Sequence, residues 1–190
     1  MGVAQGIPSS VGGLPKSEAA LEYATRAHAA QLRDVDGAPF IVHPSEVALL
    51  LRAAGAPDHL IAAGALHDVI EKTPATAFDL RRRFGSRTAA LVLAVSEDKR
   101  IRSYSERKRA LRERVAQAGE EALMLFAADK ISKARELHIR PARRSPRAIR
   151  LRLRRRAHYE HCLALLRERL PDSPLVGELE YELARKSRRQ

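Results

Sequence analysis

The 190-residue chain carries 35 Lys/Arg against 23 Asp/Glu, a formal net charge of +12, with one cysteine and no tryptophan. A lone cysteine excludes an internal disulfide, the longest apolar runs fall well short of a membrane span, and the N-terminus lacks the basic start and apolar core of a secretion signal. The expectation is a cytoplasmic single-domain protein with no membrane contact and an open oligomeric state.

Residues 1–16, rich in Gly, Pro and Ser, read as a flexible tail. Beyond them apolar residues recur at three- and four-residue spacing, the pattern of helices. Leu21, Ala24, Ala27, His28 and Leu32 predict a helix over 17–33, ended by the turn-rich run from Asp34 to Pro39. Pro44 suits the first turn of a second helix, with Val47, Leu50, Leu51 and Ala54 on its apolar face and Gly55 after it, which leaves His43 at a helix start. Asp58 reads as the cap of a third helix reaching Glu71, and Thr76 with Asp79 as the capping box of a fourth closed by Gly85. Further helices are predicted over 86–96, 105–118, 120–137, 147–170 and 175–186, separated by Gly119 and by proline-rich breaks. No strand alternation is sustained, so the fold class is all-α, about eight to nine helices with a core of Leu, Ala, Val and Ile.

The charge is unevenly placed. The stretch 130–156 holds twelve Lys/Arg and a single acid, Glu136, and so accounts for nearly all of the excess. Such a segment could bind nucleic acid or an anionic nucleotide, but a solvated helix face is the commoner meaning of a charge run, and nucleic acid is not the favoured partner.

Chemistry concentrates elsewhere. His67 and Asp68 are adjacent in the apolar run Ala65-Leu66-His67-Asp68-Val69-Ile70-Glu71, where an imidazole and a carboxylate are costly to bury without partners. On a helix, positions i, i+1 and i+4 lie at about 0°, 100° and 40° around the axis, so His67, Asp68 and Glu71 share one side. An imidazole nitrogen with a carboxylate oxygen suits a divalent ion such as Mn²⁺, Fe²⁺, Zn²⁺ or Co²⁺. His43 and Asp129 are the best further ligands. Asp129 interrupts the apolar helix Leu123-Met124-Leu125-Phe126-Ala127-Ala128, and its bland explanation is an ion pair with Lys133 four residues on.

The order His43, His67-Asp68, Glu71, Asp129 resembles the HD-domain metal phosphohydrolases, and within them the hydrolase domain of the RelA/SpoT family, including the small alarmone hydrolases and metazoan SpoT homologs. The segments Gly37-Ala38-Pro39-Phe40-Ile41-Val42-His43-Pro44, Ala63-Gly64-Ala65-Leu66-His67-Asp68, Phe84-Gly85 and Ala128-Asp129-Lys130 carry the likeness. The resemblance implies a single HD-domain helical bundle, with a core over 17–140 and a basic helical extension over 141–190. It implies a divalent cofactor, Mn²⁺, held by His43, His67, Asp68 and Asp129, and Glu71 as the residue that orients or deprotonates water. The implied reaction is hydrolysis of the 3′-diphosphate of guanosine tetra- or pentaphosphate to GDP or GTP and pyrophosphate. Arg33, Lys130 and Lys133 fall at positions expected to meet substrate.

Three departures bear on activity. The family commonly has Glu-Asp where this chain has Glu71-Lys72, Asn where it has Lys133, and a basic residue where Asp34 follows Arg33. Lys72 is therefore a catalytic candidate of altered sign. It leaves three outcomes: ordinary hydrolysis with Lys72 turned away, hydrolysis of another nucleotide or an NADPH-like cofactor clamped by Lys72 and Lys133, or a nucleotide- or nucleic-acid-binding HD protein of impaired catalysis.

Overall fold

A computed structural model of the chain describes residues 13–139 and 145–185. Among these residues the secondary structure is helical, apart from one isolated bridge between Leu32 and Pro39. The helices are α1 (Pro15–Ala27), α2 (Val42–Ala53), α3 (Asp58–Leu66), α4 (Val69–Lys72), α5 (Ala77–Phe84), α6 (Ser86–Val95), α7 (Tyr104–Gln117), α8 (Glu120–Glu136), α9 (Pro146–Arg169) and α10 (Pro174–Ala184). They are the nine helices read from the sequence, with the third broken into α3 and α4. Of the tail read over 1–16, residues 1–12 lie outside the described residues and Pro15 and Lys16 already belong to α1; the break at 140–144 and the helix end at Lys186 also lie outside them.

Helix α3 is the axle of the fold. Every residue from 60 to 66 is buried, which fits its lack of a polar face, and it packs against α1, α2, α6 and α8. Gly64 allows α2 its close approach, because a Cβ there would stand 2.7 Å from Leu51 Cδ1 and 3.3 Å from Ala48 Cα. Helix α8 packs on α2 and carries Leu125, Phe126 and Ile131 into the interior, and α9 and α10 pack on it as well.

Local expectations met mixed outcomes, each with a physical cause. Thr76 and Asp79 form the expected capping box. Asp58 caps the wrong helix for the sequence reading: its carboxylate accepts the N–H groups of Lys16 and Ser17 at 3.0 and 2.8 Å, in the first turn of α1. Ser86 is inside α6 rather than capping it, since Gly85 with φ +88° makes the turn. The first helix stops at Ala27, six residues early. From there Arg33 N–H bonds the Ala38 carbonyl and Phe40 N–H the Gln31 carbonyl, at 2.8 and 2.9 Å, closing a small loop in which Leu32 is 64% exposed. Leu32 fell on the periodic face by spacing alone.

The third helix breaks where the chemistry begins. His67 Nδ1 bonds the Gly64 carbonyl at 2.8 Å, an acceptor that an unbroken helix gives to the N–H of Asp68. Asp68 then takes φ −93°, ψ −8°, the sparsely allowed region where many active-site residues sit, before α4 resumes for one turn.

Candidate active site

Two imidazoles meet at the junction of α2 and α3. His43 and His67 are both buried, and their Nε2 atoms are 3.0 Å apart. The outer nitrogen of each ring fixes its tautomer. His67 Nδ1 faces a carbonyl and must carry the proton. His43 Nδ1 is 2.8 Å from Ser132 Oγ, whose single hydrogen goes to Glu46 Oε2 at 2.6 Å, so His43 Nδ1 is a donor as well. Both Nε2 atoms therefore present lone pairs to each other. Two acceptors at that distance have no hydrogen bond to make unless a cation, a proton or a metal ion, sits between them.

Two carboxylates complete the ring of donors. Asp129 Oδ1, from α8, is 3.3 Å from His43 Nε2 and 3.6 Å from His67 Nε2; Asp68 Oδ2 is 3.7 Å from both. Asp68 Oδ2 is buried without a hydrogen-bond partner. His43, His67 and Asp129 form the one cluster among the described residues whose donor atoms all lie within 4.8 Å of one another. Around an ion bound at about 2.0–2.2 Å, neighbouring ligand atoms stand about 3–4 Å apart. The donors fit a divalent ion by spacing, by chemistry and by the orphaned oxygen.

The charges agree. Burial, with the charge of Lys133, pushes His43 down to about 4, so it is neutral and free to ligate near neutral pH. Burial also opposes the charging of His67, but Asp68 and Asp129 outweigh it and raise its pKa. For Asp129 the burial penalty is overcome by Lys130 and by the two histidines, which hold the carboxyl well below its usual range. Asp68 is likewise lowered against burial by His67 and His43. The pair expected from spacing, Asp129 with Lys133, does not form: Asp129 Oδ2 takes the adjacent Lys130, and Lys133 approaches Glu136 at 3.5 Å. An i to i+1 contact is possible here because Lys130 is itself buried, its ammonium 4.5 Å from the centroid of Phe126.

His67, Asp68 and Asp129 form the floor of a 650 Å³ cavity whose walls come from the loop after α1 and from α4, α7, α8 and α9. Glu71 lines it. Its Oε1 accepts the N–H of Glu97 at 2.7 Å, and burial, reinforced by the charges of Asp68 and Glu97, raises its pKa. Lys72 and Lys133 converge on one aromatic ring, with Nζ atoms 5.0 and 5.7 Å from the centroid of Phe40. Arg33 also reaches the cavity, its guanidinium held by Asp36, and the carbonyl of Lys72 accepts Gln31 Nε2 at 2.8 Å, tying this loop to α4. His28 is buried, bonds Gln31 through Nδ1 and leans on Phe40 with centroids 4.8 Å apart, while its Nε2 has no hydrogen-bond partner.

Sequence reasoning missed several lining residues. Tyr104 and Lys108 on α7, and Arg155, His158 and Tyr159 on α9, reach the cavity from helices whose motifs gave no signal. It also missed Ser132 and Glu46 behind His43. The only hint was that each sits three residues, about one turn, from a ligand candidate on its own helix. Part of the basic stretch is engaged in contacts within the fold: Arg135 pairs with Glu46, Glu178 and Glu182, Arg152 and Arg156 bond the carbonyls of Leu137 and Leu183, and Arg154 stacks 3.8 Å over Tyr104.

The family described as HD domain matches residues 20–152. The chain belongs to the HD-domain family. The matched range includes the adjacent His67-Asp68, at the break between α3 and α4. A human relative named guanosine-3′,5′-bis(diphosphate) 3′-pyrophosphohydrolase MESH1 is 35% identical over 122 residues, 63% of this chain and 68% of the human protein. A protein of Aquifex aeolicus named guanosine-3′,5′-bis(diphosphate) 3′-pyrophosphohydrolase is 33% identical over 122 residues, again 63% of this HD protein but only 17% of the longer relative. Among solved structures, a metazoan ortholog of SpoT, described as hydrolyzing ppGpp with a role in starvation responses, superposes with a TM-score of 0.77 at 26% identity, covering 94% of this chain and 97% of that one.

Proposed function

We propose that the chain is a metal-dependent phosphohydrolase that removes the 3′-diphosphate of guanosine 3′,5′-bis(diphosphate), or of the corresponding pentaphosphate, as pyrophosphate. The observation that carries this reading is the pair of facing Nε2 lone pairs, 3.0 Å apart, ringed by two carboxylates beside a large cavity whose lining mixes lysines and arginines with carboxylates. The similarity to proteins named for that reaction supports the choice of substrate.

His43, His67, Asp68 and Asp129 would hold the ion, and manganese is our choice for it. Such an ion, when bound, supplies Lewis acidity toward a phosphoryl oxygen and offsets substrate charge. The chain's own groups do the rest. Glu71, fixed through Oε1 by the Glu97 N–H, has Oε2 to take a proton from the attacking water, and its raised pKa makes it a better base than an exposed carboxylate. The bond between ribose O3′ and phosphorus breaks, the water oxygen joins phosphorus, and O3′ must gain a proton. Lys72 and Lys133 put two ammonium groups at the Phe40 edge of the cavity, where they neutralise the diphosphate and offer an N–H to the departing oxygen. Arg33 and Lys130 add positive potential, Lys130 chiefly by holding Asp129. With no described helix long and apolar enough to cross a membrane, a cytoplasmic setting accords with a nucleotide substrate.

The test is incubation with Mn²⁺ and guanosine 3′,5′-bis(diphosphate), with pyrophosphate and GDP measured against a His67→Ala/Asp68→Ala double variant. Product no greater than the double variant's would defeat the substrate assignment. The two lysines on Phe40 favour one second reading, a nucleotide with a terminal monophosphate such as NADPH, tested in parallel by release of inorganic phosphate.

A further inference from the structure

Behind the site, a chain of hydrogen bonds runs from a metal-ligand candidate to the C-terminal helix. His43 Nδ1–H donates to Ser132 Oγ at 2.8 Å, and Ser132 O–H donates to Glu46 Oε2 at 2.6 Å. Arg135 Nη1 donates to Glu46 Oε1 at 2.6 Å, Nη2 to Glu178 Oε1 at 2.6 Å and Nε to Glu182 Oε1 at 3.0 Å. The direction of each bond is forced. A carboxylate and a guanidinium can only accept and only donate, so the one hydroxyl between Glu46 and His43 must pass its hydrogen outward and receive one from the ring. Ser132 is fully buried and has no freedom to turn to water.

We propose that Ser132 and Glu46 are positioning residues for the metal, holding His43 in the tautomer that aims the Nε2 lone pair inward and making that nitrogen a stronger donor. The idea rests on the metal reading above. Its physical basis is general: a ligating imidazole whose other N–H reaches a carboxylate is oriented and made more basic, and loss of such an outer partner costs 10–100-fold in metal affinity, on the order seen at other sites. Here the carboxylate acts through one hydroxyl. Arg135 holds Glu46 turned toward Ser132, and its two other carboxylates, Glu178 and buried Glu182, belong to α10. Helix α10 thereby supports the His43 ligand through Arg135, although none of its residues lines the cavity.

The experiment is titration of the metal-free full chain with Mn²⁺ by calorimetry, comparing wild type with Ser132→Ala, Ser132→Thr, Glu46→Gln and Glu178→Gln, with the melting temperature of each metal-free variant as a control on folding. Ser132→Ala should weaken binding about 10–100-fold. Ser132→Thr, which keeps the hydroxyl, should recover most of it. Glu46→Gln, of the same shape, should lose several-fold, and Glu178→Gln less. NMR of the imidazole nitrogens in metal-free protein should show His43 as the Nδ1–H tautomer in wild type and a mixture in Ser132→Ala. Wild-type affinity in both Ser132→Ala and Glu46→Gln would overturn the proposal while leaving the metal site standing. Absence of Mn²⁺ binding by the wild type would instead remove the metal reading and the relay with it.

Discussion

Replacing Gly64 by alanine sets two effects of opposite sign against each other. In an uncrowded helix interior the change stabilises by about 1 kcal/mol, because glycine has the larger backbone entropy to lose. At Gly64 the new methyl would lie 2.7 Å from Leu51 Cδ1, 3.3 Å from Ala48 Cα and 3.4 Å from Ala48 N. The first contact is with the end of a side chain that can rotate, but Leu51 is itself fully buried, and the other two are backbone. Overpacking of this kind costs about 1–3 kcal/mol. The expected net is a loss of about 1 kcal/mol, or about 2–4 °C in melting temperature for a chain of this size. The relief, a separation of α2 from α3, also moves His43 from His67, whose 3.0 Å spacing defines the site, so Mn²⁺ affinity should fall several-fold. Thermal denaturation and calorimetric metal titration read both. A Gly64→Ala protein more stable than wild type, with undiminished metal affinity, would refute the argument that this contact sets the site's spacing.

Manganese at 100 times its dissociation constant should stabilise the wild type by about 2.7 kcal/mol, a rise of about 5–10 °C in melting temperature, and leave the His67→Ala/Asp68→Ala variant unmoved. An equal shift in both proteins would show that the ion binds elsewhere. Lys72→Ala and Lys133→Ala should each raise KM for the nucleotide at least tenfold, as expected for loss of a hydrogen bond to a charged phosphate worth about 1.5–3 kcal/mol; an unchanged KM would turn both side chains out of the binding site. His158, held down to about 2 by burial and then by Lys130 and Lys108, stays neutral in the fold. Its unfolded form takes up a proton below about pH 6.5 while the folded form does not, so its share of stability is complete above that pH and is lost as the pH falls, by about 1 kcal/mol between pH 6.5 and 5.5. Urea denaturation at the two pH values should show that extra loss in wild type and not in His158→Gln, and parallel losses would exclude His158 as the source.

The spacing of apolar residues, the proline and glycine stops and the capping box at Thr76 were enough to read nine helices and their order, because helix formation and termination are local events. The four ligand candidates were legible too, since a charged or ligating side chain in an apolar run is an anomaly wherever it occurs. Other matters needed the assembled bundle. His67 competes with the backbone for the Gly64 carbonyl and breaks a helix that periodicity reads as continuous, and Asp58 serves α1 from a distance of more than forty positions. Lys130, not Lys133, neutralises Asp129 because both are buried side by side. The convergence of Lys72 and Lys133 on Phe40, and the bond chain from His43 through Ser132 and Glu46 to α10, join segments with no common period or motif. The sequence by itself determined which residues want to be helical and which cannot be buried alone. Only the tertiary structure decided which of the latter satisfy one another, because that depends on distances across helices that no local interaction sets.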